Sequence, residues 1–223
     1  MNFEEAKKET YETRRKRAAK IMRRLKRAYP KAEIALNYGN NIQLLAAVIL
    51  SAQCTDKKVN EVTEKLFKKY KTVGDFADAD IKVFSQEIRS TGFYNSKAKN
   101  IISACKMIRK DFGGKLPKTI KEMIKIPGVA RKTANVVLGN AYGVVEGIAV
   151  DTHVRQFANY CALSFEHDPV KIEQDLMKTI SKKEWFNTTY RIIDFNREMR
   201  SRASREAAKS KIVLQDICPA SPI

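Results

Sequence analysis

Apolar side chains recur along this chain at helical spacing, and strand-like alternation is hard to find, so the pattern predicts an all-α fold. The first predicted helix runs from about Glu4 to Tyr29. Ala18, Ile21, Met22 and Leu25 form its apolar stripe, and Pro30 ends it. Asn41 to Ser51 is almost wholly apolar and reads as a central buried helix. Asp56 to Tyr70 is a lysine-rich helix built around Val59, Val62, Leu66 and Phe67. Two short helices follow at 72–77 and 81–88, then longer ones at 96–112 and 132–139, with a short helix at 119–124 between them. The last block predicts helices at 151–163, 169–180 and 185–217. Gly92-Phe93-Tyr94-Asn95, Gly113 to Pro117 and Ile126-Pro127-Gly128-Val129 are the clear turns. No internal repeat and no low-complexity linker interrupts the pattern.

Charge narrows the class of partner. The 223 residues hold 43 Lys and Arg against 25 Asp and Glu, a formal charge of +18. Such a surface attracts a polyanion, because cationic side chains displace condensed counterions from nucleic acid. Between Arg14 and Arg27 there are nine basic residues and no acidic one, which reads either as a solvated charge run or as a direct DNA contact. No apolar run is long enough to span a bilayer, and the charged first thirty residues do not resemble a signal peptide. Three of the four cysteines, Cys54, Cys105, Cys161 and Cys218, sit in apolar helical settings, which favours buried free thiols over disulfides. A cytoplasmic protein with no membrane association is expected.

The chemistry concentrates in two segments. In the first, Pro127 fixes φ and Gly128 permits a turn without a Cβ, between a short helix and the next one. Backbone amides after such a turn point outward at a helix start and can bind phosphate, although a plain helix–helix turn would read the same way. Ile126 and Val129 are expected to anchor this loop to the core, and Lys132 falls in the first helical turn beyond it. The helix dipole there disfavours the ammonium form and leaves more of the nucleophilic neutral amine. In the second segment, Asp151 follows the apolar run Gly147-Ile148-Ala149-Val150 and stands where an N-cap belongs. One carboxylate oxygen can cap while the other faces an amine. His153 and Arg155 beside it are candidate phosphate contacts, whereas His167 reads as a loop residue. Two histidines and scattered cysteines form no metal-ligand cluster.

These residues carry a close resemblance to the endonuclease III family of DNA glycosylase/AP lyases, in the helix-hairpin-helix superfamily. It covers about Arg14 to Ile193. It rests on Leu50-Ser51-Ala52-Gln53-Cys54-Thr55-Asp56, Gly92-Phe93-Tyr94-Asn95-Ser96-Lys97-Ala98, the hairpin through Asn135, and Val150-Asp151-Thr152-His153. The resemblance implies two helical lobes flanking a DNA-binding cleft: a six-helix domain at 33–144, and a second domain formed by 1–32 and 145–223. It implies that Lys132 is the nucleophile and Asp151 the essential carboxylate. Gln53 would fill the space left by a flipped nucleotide, and Phe93 stands where a leucine wedge is usual. Pro127, Gly128, Val129, Ala130 and Arg131 form the hairpin that holds phosphate, with a monovalent cation on its carbonyls. The implied partner is damaged double-stranded DNA; a compact cleft suits one duplex and nothing in the sequence suggests a dimer interface, so a monomer is expected. The implied reaction is excision of oxidised pyrimidines followed by β-elimination at the abasic site. A glycosylase for another damaged or mispaired base, or a non-enzymatic helix-hairpin-helix DNA-binding protein, are the competing readings.

The tail departs from the family pattern. Members usually hold a [4Fe–4S] cluster on four closely spaced cysteines, and here only Cys218 remains between Asn196 and the end of that region. Arg200, Arg202, Arg205, Ala207, Ala208, Lys209 and Lys211 stand there instead. One thiolate cannot hold a cubane, so no cluster is expected. Arg200 and Arg202 are candidate DNA contacts, and Ala203, Ala207 and Val213 or Leu214 suggest a packed helix. Ala130 replaces a second hairpin glycine, so its backbone should be one that an L-residue tolerates. The connection between Lys132 and Asp151 is one residue longer than usual, around Val144 to Gly147.

Overall fold

The computed structural model describes residues 2–200 and 218. Among the described residues every regular element is helical. The chain divides into two compact units, 1–33 with 147–223 and 34–146, a boundary one to two residues beyond the expected junctions.

The unit formed by the two chain ends begins with α1 (Phe3–Lys7) and α2 (Tyr11–Ala28). A single helix was expected here, and Lys8 to Thr10 interrupt it. Thr10 is the N-cap of α2, and its hydroxyl accepts a hydrogen bond from the Thr13 amide at 3.2 Å, so the backbone at Thr10 is extended rather than helical. The unit continues with α10 (Thr152–Tyr160), α11 (Pro169–Thr179) and α12 (Trp185–Arg200). Asp168 caps α11, with Pro169 in its first turn where a missing amide costs nothing. Ile21 and Leu25 of α2 pack with Phe157, Leu176, Ile192 and Phe195 into one buried cluster. The sequence expectation that α12 continues to 217 lies beyond the described residues.

One ionic and one covalent device tie this unit together. Arg17 on α2 is buried, and its guanidinium makes a two-bond pair with Glu9 (Nε–Oε1 2.9 Å, Nη2–Oε2 2.7 Å). The same group donates to the carbonyl of Cys161, and to that of Ala162 at 3.0 Å, at the end of α10. The second device corrects the free-thiol expectation: Cys161 and Cys218 are joined in a disulfide, with Cα atoms 4.3 Å apart. They are 57 residues apart in sequence, and their meeting depends on the packed core rather than on any local pattern. Closing a loop of that size contributes about 2–4 kcal/mol. Cys105 does fit the expectation, as a free buried thiol whose pKa burial pushes up to about 12.

The unit 34–146 holds α3 (Asn41–Leu50), α4 (Asp56–Lys69), α5 (Val73–Ala77), α6 (Ile81–Glu87), α7 (Tyr94–Asp111), α8 (Ile120–Met123) and α9 (Arg131–Tyr142). Asn40 caps α3 by accepting from the amides of Ile42 and Gln43, and Ile42 to Leu50 are all buried. That burial on every side explains the unbroken apolar run, since α3 packs on α4, α7 and α9. Helix α7 in turn packs on α5 and α6. Phe76 and Phe84, with Tyr70 5.3 and 5.1 Å from them by ring centroid, fill the space beside α5 and α6.

Replacing Arg17 takes both close hydrogen bonds from the Glu9 side chain, only 7 % exposed, and leaves it Arg14 Nε at 3.9 Å. Arg17→Met should destabilise the protein by about 3–5 kcal/mol. A lowered denaturation midpoint by circular dichroism checks this, and an unchanged midpoint contradicts it.

Candidate active site and nucleic-acid interface

The hairpin lies between α8 and α9. Ile126 and Val129 are 2 % and 5 % exposed and anchor it as expected, while a turn hydrogen bond runs from the Val129 amide to the Ile126 carbonyl at 3.1 Å. Gly128 has φ +77°, and a Cβ added there would stand 2.8 Å from Cβ of Asn100 on α7. Glycine is therefore required twice over, by backbone conformation and by space. Ala130 is extended (φ −84°), a conformation open to any L-residue, as its replacement of glycine required. It is also the N-cap of α9, and no side chain caps that helix. The first amides of a helix have no intrahelical acceptor, so this terminus presents N–H donors and a positive dipole end. Pro127, Gly128, Ala130 and Arg131 all have solvent-accessible surface here, and buried Val129 offers only its backbone.

Lys132 is the second residue of α9 and half-buried, with its helical neighbours Ala134 and Asn135 buried. The nucleophile candidate thus stands beside the phosphate-binding candidate, on one rigid element. Asp151 belongs to the other unit. It caps α10, and its Oδ1 accepts from the Val154 amide at 2.8 Å. Asp151 is only partly buried. Its backbone is held by the buried approach Ile148-Ala149-Val150, where Thr189 Oγ1 donates to the Ala149 carbonyl at 2.8 Å. His153 lies in the first turn of α10, and Asn196 Nδ2 donates to its carbonyl at 3.0 Å. Arg155 is exposed one turn along. Arg200 is the last residue of α12, and Arg202 lies outside the described residues together with the rest of the basic tail up to Lys211.

Gln53 and Phe93 share a feature that no residue pattern announces. Both are non-glycine residues at positive φ, 52° and 48°. Both are exposed, and Phe93 presents 66 % of its surface to solvent as the N-cap of α7. A large apolar side chain in a left-handed backbone and facing water costs free energy on both counts, about 1–3 kcal/mol for the backbone alone. Lys97, four residues beyond Phe93, is a polar group to which the sequence reading gave no role. It is 4 % exposed, and its Nζ donates to two main-chain carbonyls. Its only sequence signal is its register, since Lys97 falls on the helical stripe of Ile101, Cys105 and Ile108.

Among the described residues no group of three or more His, Cys, Asp or Glu side chains could hold a metal ion. Nor is any described helix long and apolar enough to cross a membrane.

Residues 46–182 match the HhH-GPD family, described as a superfamily of base excision DNA repair proteins. The chain is 42% identical over 209 residues to endonuclease III of Synechocystis sp., with 94% of each chain covered. It is 45% identical over 170 residues to endonuclease III of Bacillus subtilis, covering 76% of this chain and 77% of that one. Among solved structures it superposes on a trapped endonuclease III–DNA covalent intermediate, an estranged-adenine complex. That match has a TM-score of 0.84 and 36% identity, and covers 92% of this chain and 95% of the other.

Gly114 supplies a control for the hairpin, because it shares φ +77° but a Cβ there meets nothing within 4 Å. Gly128→Ala should therefore lower stability by about 1–3 kcal/mol more than Gly114→Ala, the added cost being the overlap with Asn100. Paired thermal melts check this, and equal losses would show that the hairpin does not press on α7.

Proposed function

Because this chain belongs to the endonuclease III family of HhH-GPD base excision DNA repair proteins, and is a DNA glycosylase/AP lyase for oxidised pyrimidines, we propose that Lys132 and Asp151 carry its two chemical steps. The observation that carries the assignment is the place of Lys132, in the first turn of an uncapped helix directly after the Gly128 turn. A backbone phosphate bound by the hairpin amides and the α9 dipole would bring the adjoining sugar beside this amine.

The damaged base first leaves the stack, at a cost of a few kcal/mol that is least for a poorly paired lesion. The neutral amine of Lys132 attacks C1′ as the glycosidic bond breaks, and the departing base takes up a proton. Asp151 as a carboxylate stabilises the positive charge that develops on the sugar and assists proton transfer. The sugar ring then opens: the C1′–O4′ bond breaks, O4′ takes up a proton and Nζ loses one, and the resulting Schiff base between Nζ and C1′ acidifies the C2′ proton. Removal of that proton expels the 3′ phosphate by β-elimination, and hydrolysis returns the free lysine. A glycosylase that lacked lyase activity would need only the carboxylate and a water molecule, so Lys132 is the residue that supports the second step.

Damaged double-stranded DNA is the partner. Gln53 and Phe93 enter the duplex, the hairpin 127–131 grips phosphate, and His153, Arg155, Arg200 and Arg202 add contacts to the backbone. The hairpin carbonyls could carry a monovalent cation. We read the protein as a cytoplasmic monomer acting on chromosomal DNA. The family's iron–sulfur cluster does not fit this chain: the tail has a single cysteine, Cys218, and its sulfur is bonded to Cys161. No step is assigned to such a group.

Borohydride reduction should trap wild-type protein covalently on abasic duplex DNA, and Lys132→Ala should give no adduct. Tight duplex binding by the wild type without any adduct would favour a binding protein over an enzyme. Asn is as good an N-cap as Asp, so Asp151→Asn should keep the melting temperature but lower glycosylase kcat by about a hundredfold or more. An equal activity loss and melting loss would reduce Asp151 to a cap. Iron analysis of purified protein should find far less than one atom per chain, and four per chain would overturn the account of the tail.

A further inference from the structure

Lys97 takes no part in the chemistry above, yet it is one of the few charged side chains in the core of its unit. Its Nζ donates to the Leu50 carbonyl and to the Thr91 carbonyl, each at 2.8 Å. Leu50 is the last residue of α3, and Gln53 lies three residues on. Thr91 ends a short 3-10 turn at 89–91, and Phe93 lies two residues on. The ammonium therefore bridges the roots of the two loops whose tips are the positive-φ residues.

Charge-assisted hydrogen bonds are the strongest that a side chain can make to a carbonyl. Both acceptors also stand at helical C-terminal ends, where the partial charge is negative and favours a cation. A buried cation without such partners would be costly. Burial still lowers the Lys97 pKa, against a smaller opposing effect of the nearby Cys54 sulfur. A lysine needed only to finish one helix would have one carbonyl to serve. This one serves two loops that are more than forty residues apart in sequence (|i−j| 47 to Leu50 and 6 to Thr91).

We propose that Lys97 is a positioning residue that locks the Gln53 and Phe93 loops to each other, so that the two side chains enter the duplex as a fixed pair. This rests on the reading of Gln53 and Phe93 as the inserting residues. Lys97→Met keeps the length of the side chain and its apolar stem, and removes the ammonium. With the bridge gone, each loop can relax from its left-handed corner independently.

The test uses a duplex with 2-aminopurine opposite a non-cleavable abasic analogue, read at saturating protein so that affinity does not enter. Wild type should raise the emission by unstacking the orphan base. Phe93→Ala and Lys97→Met should each lose most of that increment, and the double variant should lose no more than either single one. Lys97→Met emission equal to wild type, or losses that add in the double variant, would overturn the positioning role. Borohydride trapping on abasic duplex runs alongside and separates the two failures. Wild type that neither traps nor brightens removes the functional reading, whereas trapping without brightening removes the insertion assignment and this proposal with it. Should Lys97→Met not fold, Lys97→Gln, which keeps two donors without the charge, replaces it in the same comparison.

Discussion

The approach of Gly128 to α7 governs the working surface of its unit. With only a hydrogen where Asn100 would meet a Cβ at 2.8 Å, the hairpin can lie flat on a helix that is itself packed on α5 and α6. From there the chain enters α9 through an extended Ala130, without a side chain to occupy the first amides. The direction of those amides and the position of Lys132 in the same first turn both follow from this contact. Close packing of backbone on helix thus becomes a means of aiming donors, since a looser turn would let α9 start in more than one direction.

Both units use the same device where the backbone is forced into an unusual corner. The non-glycine residues at positive φ among those described are Gln53, Phe93 and Ala162. A buried cation stands behind each: Lys97 on the carbonyls that lead into Gln53 and Phe93, and Arg17 on the carbonyl of Ala162 itself. A guanidinium or ammonium can serve several carbonyls at once and brings charge to each bond, whereas a neutral amide such as Gln43, which donates to the Phe67 and Tyr70 carbonyls, has two donors and no charge. At Ala162 the corner is buried and serves to finish α10, while at Gln53 and Phe93 it projects side chains into solvent. The same local physics therefore supports packing in one unit and exposed side chains in the other.

Periodicity made the helices legible, because most have an apolar face and several begin at a recognisable capping side chain. Asn41 to Leu50 could be read from composition alone, and Asp151 and Asp168 from their place before a helical pattern. The turn at Pro127-Gly128 and the helix that starts beyond it were legible because Pro-Gly lies between two helical patterns, although a plain helix–helix turn reads the same way. What escaped the sequence was set by tertiary structure. The break at Lys8 to Thr10 was hidden by residues that suit a helix well, and the cap at Thr10 decides against them. Nothing in the side chains of Gln53 or Phe93 marks a left-handed backbone. Lys97 could have been suspected only from its register on an apolar stripe, since most lysines in so basic a chain are solvated.

The bond between Cys161 and Cys218 gives the molecule a different topology from a simple thread. It closes a covalent ring that contains all of α11 and α12. A protease that cut once inside that ring would leave both fragments on one molecule, of unchanged mass apart from one added water. For a cut ahead of α11, reduction would be needed to free the piece, and with it the two helices that complete the core with α2 and α10.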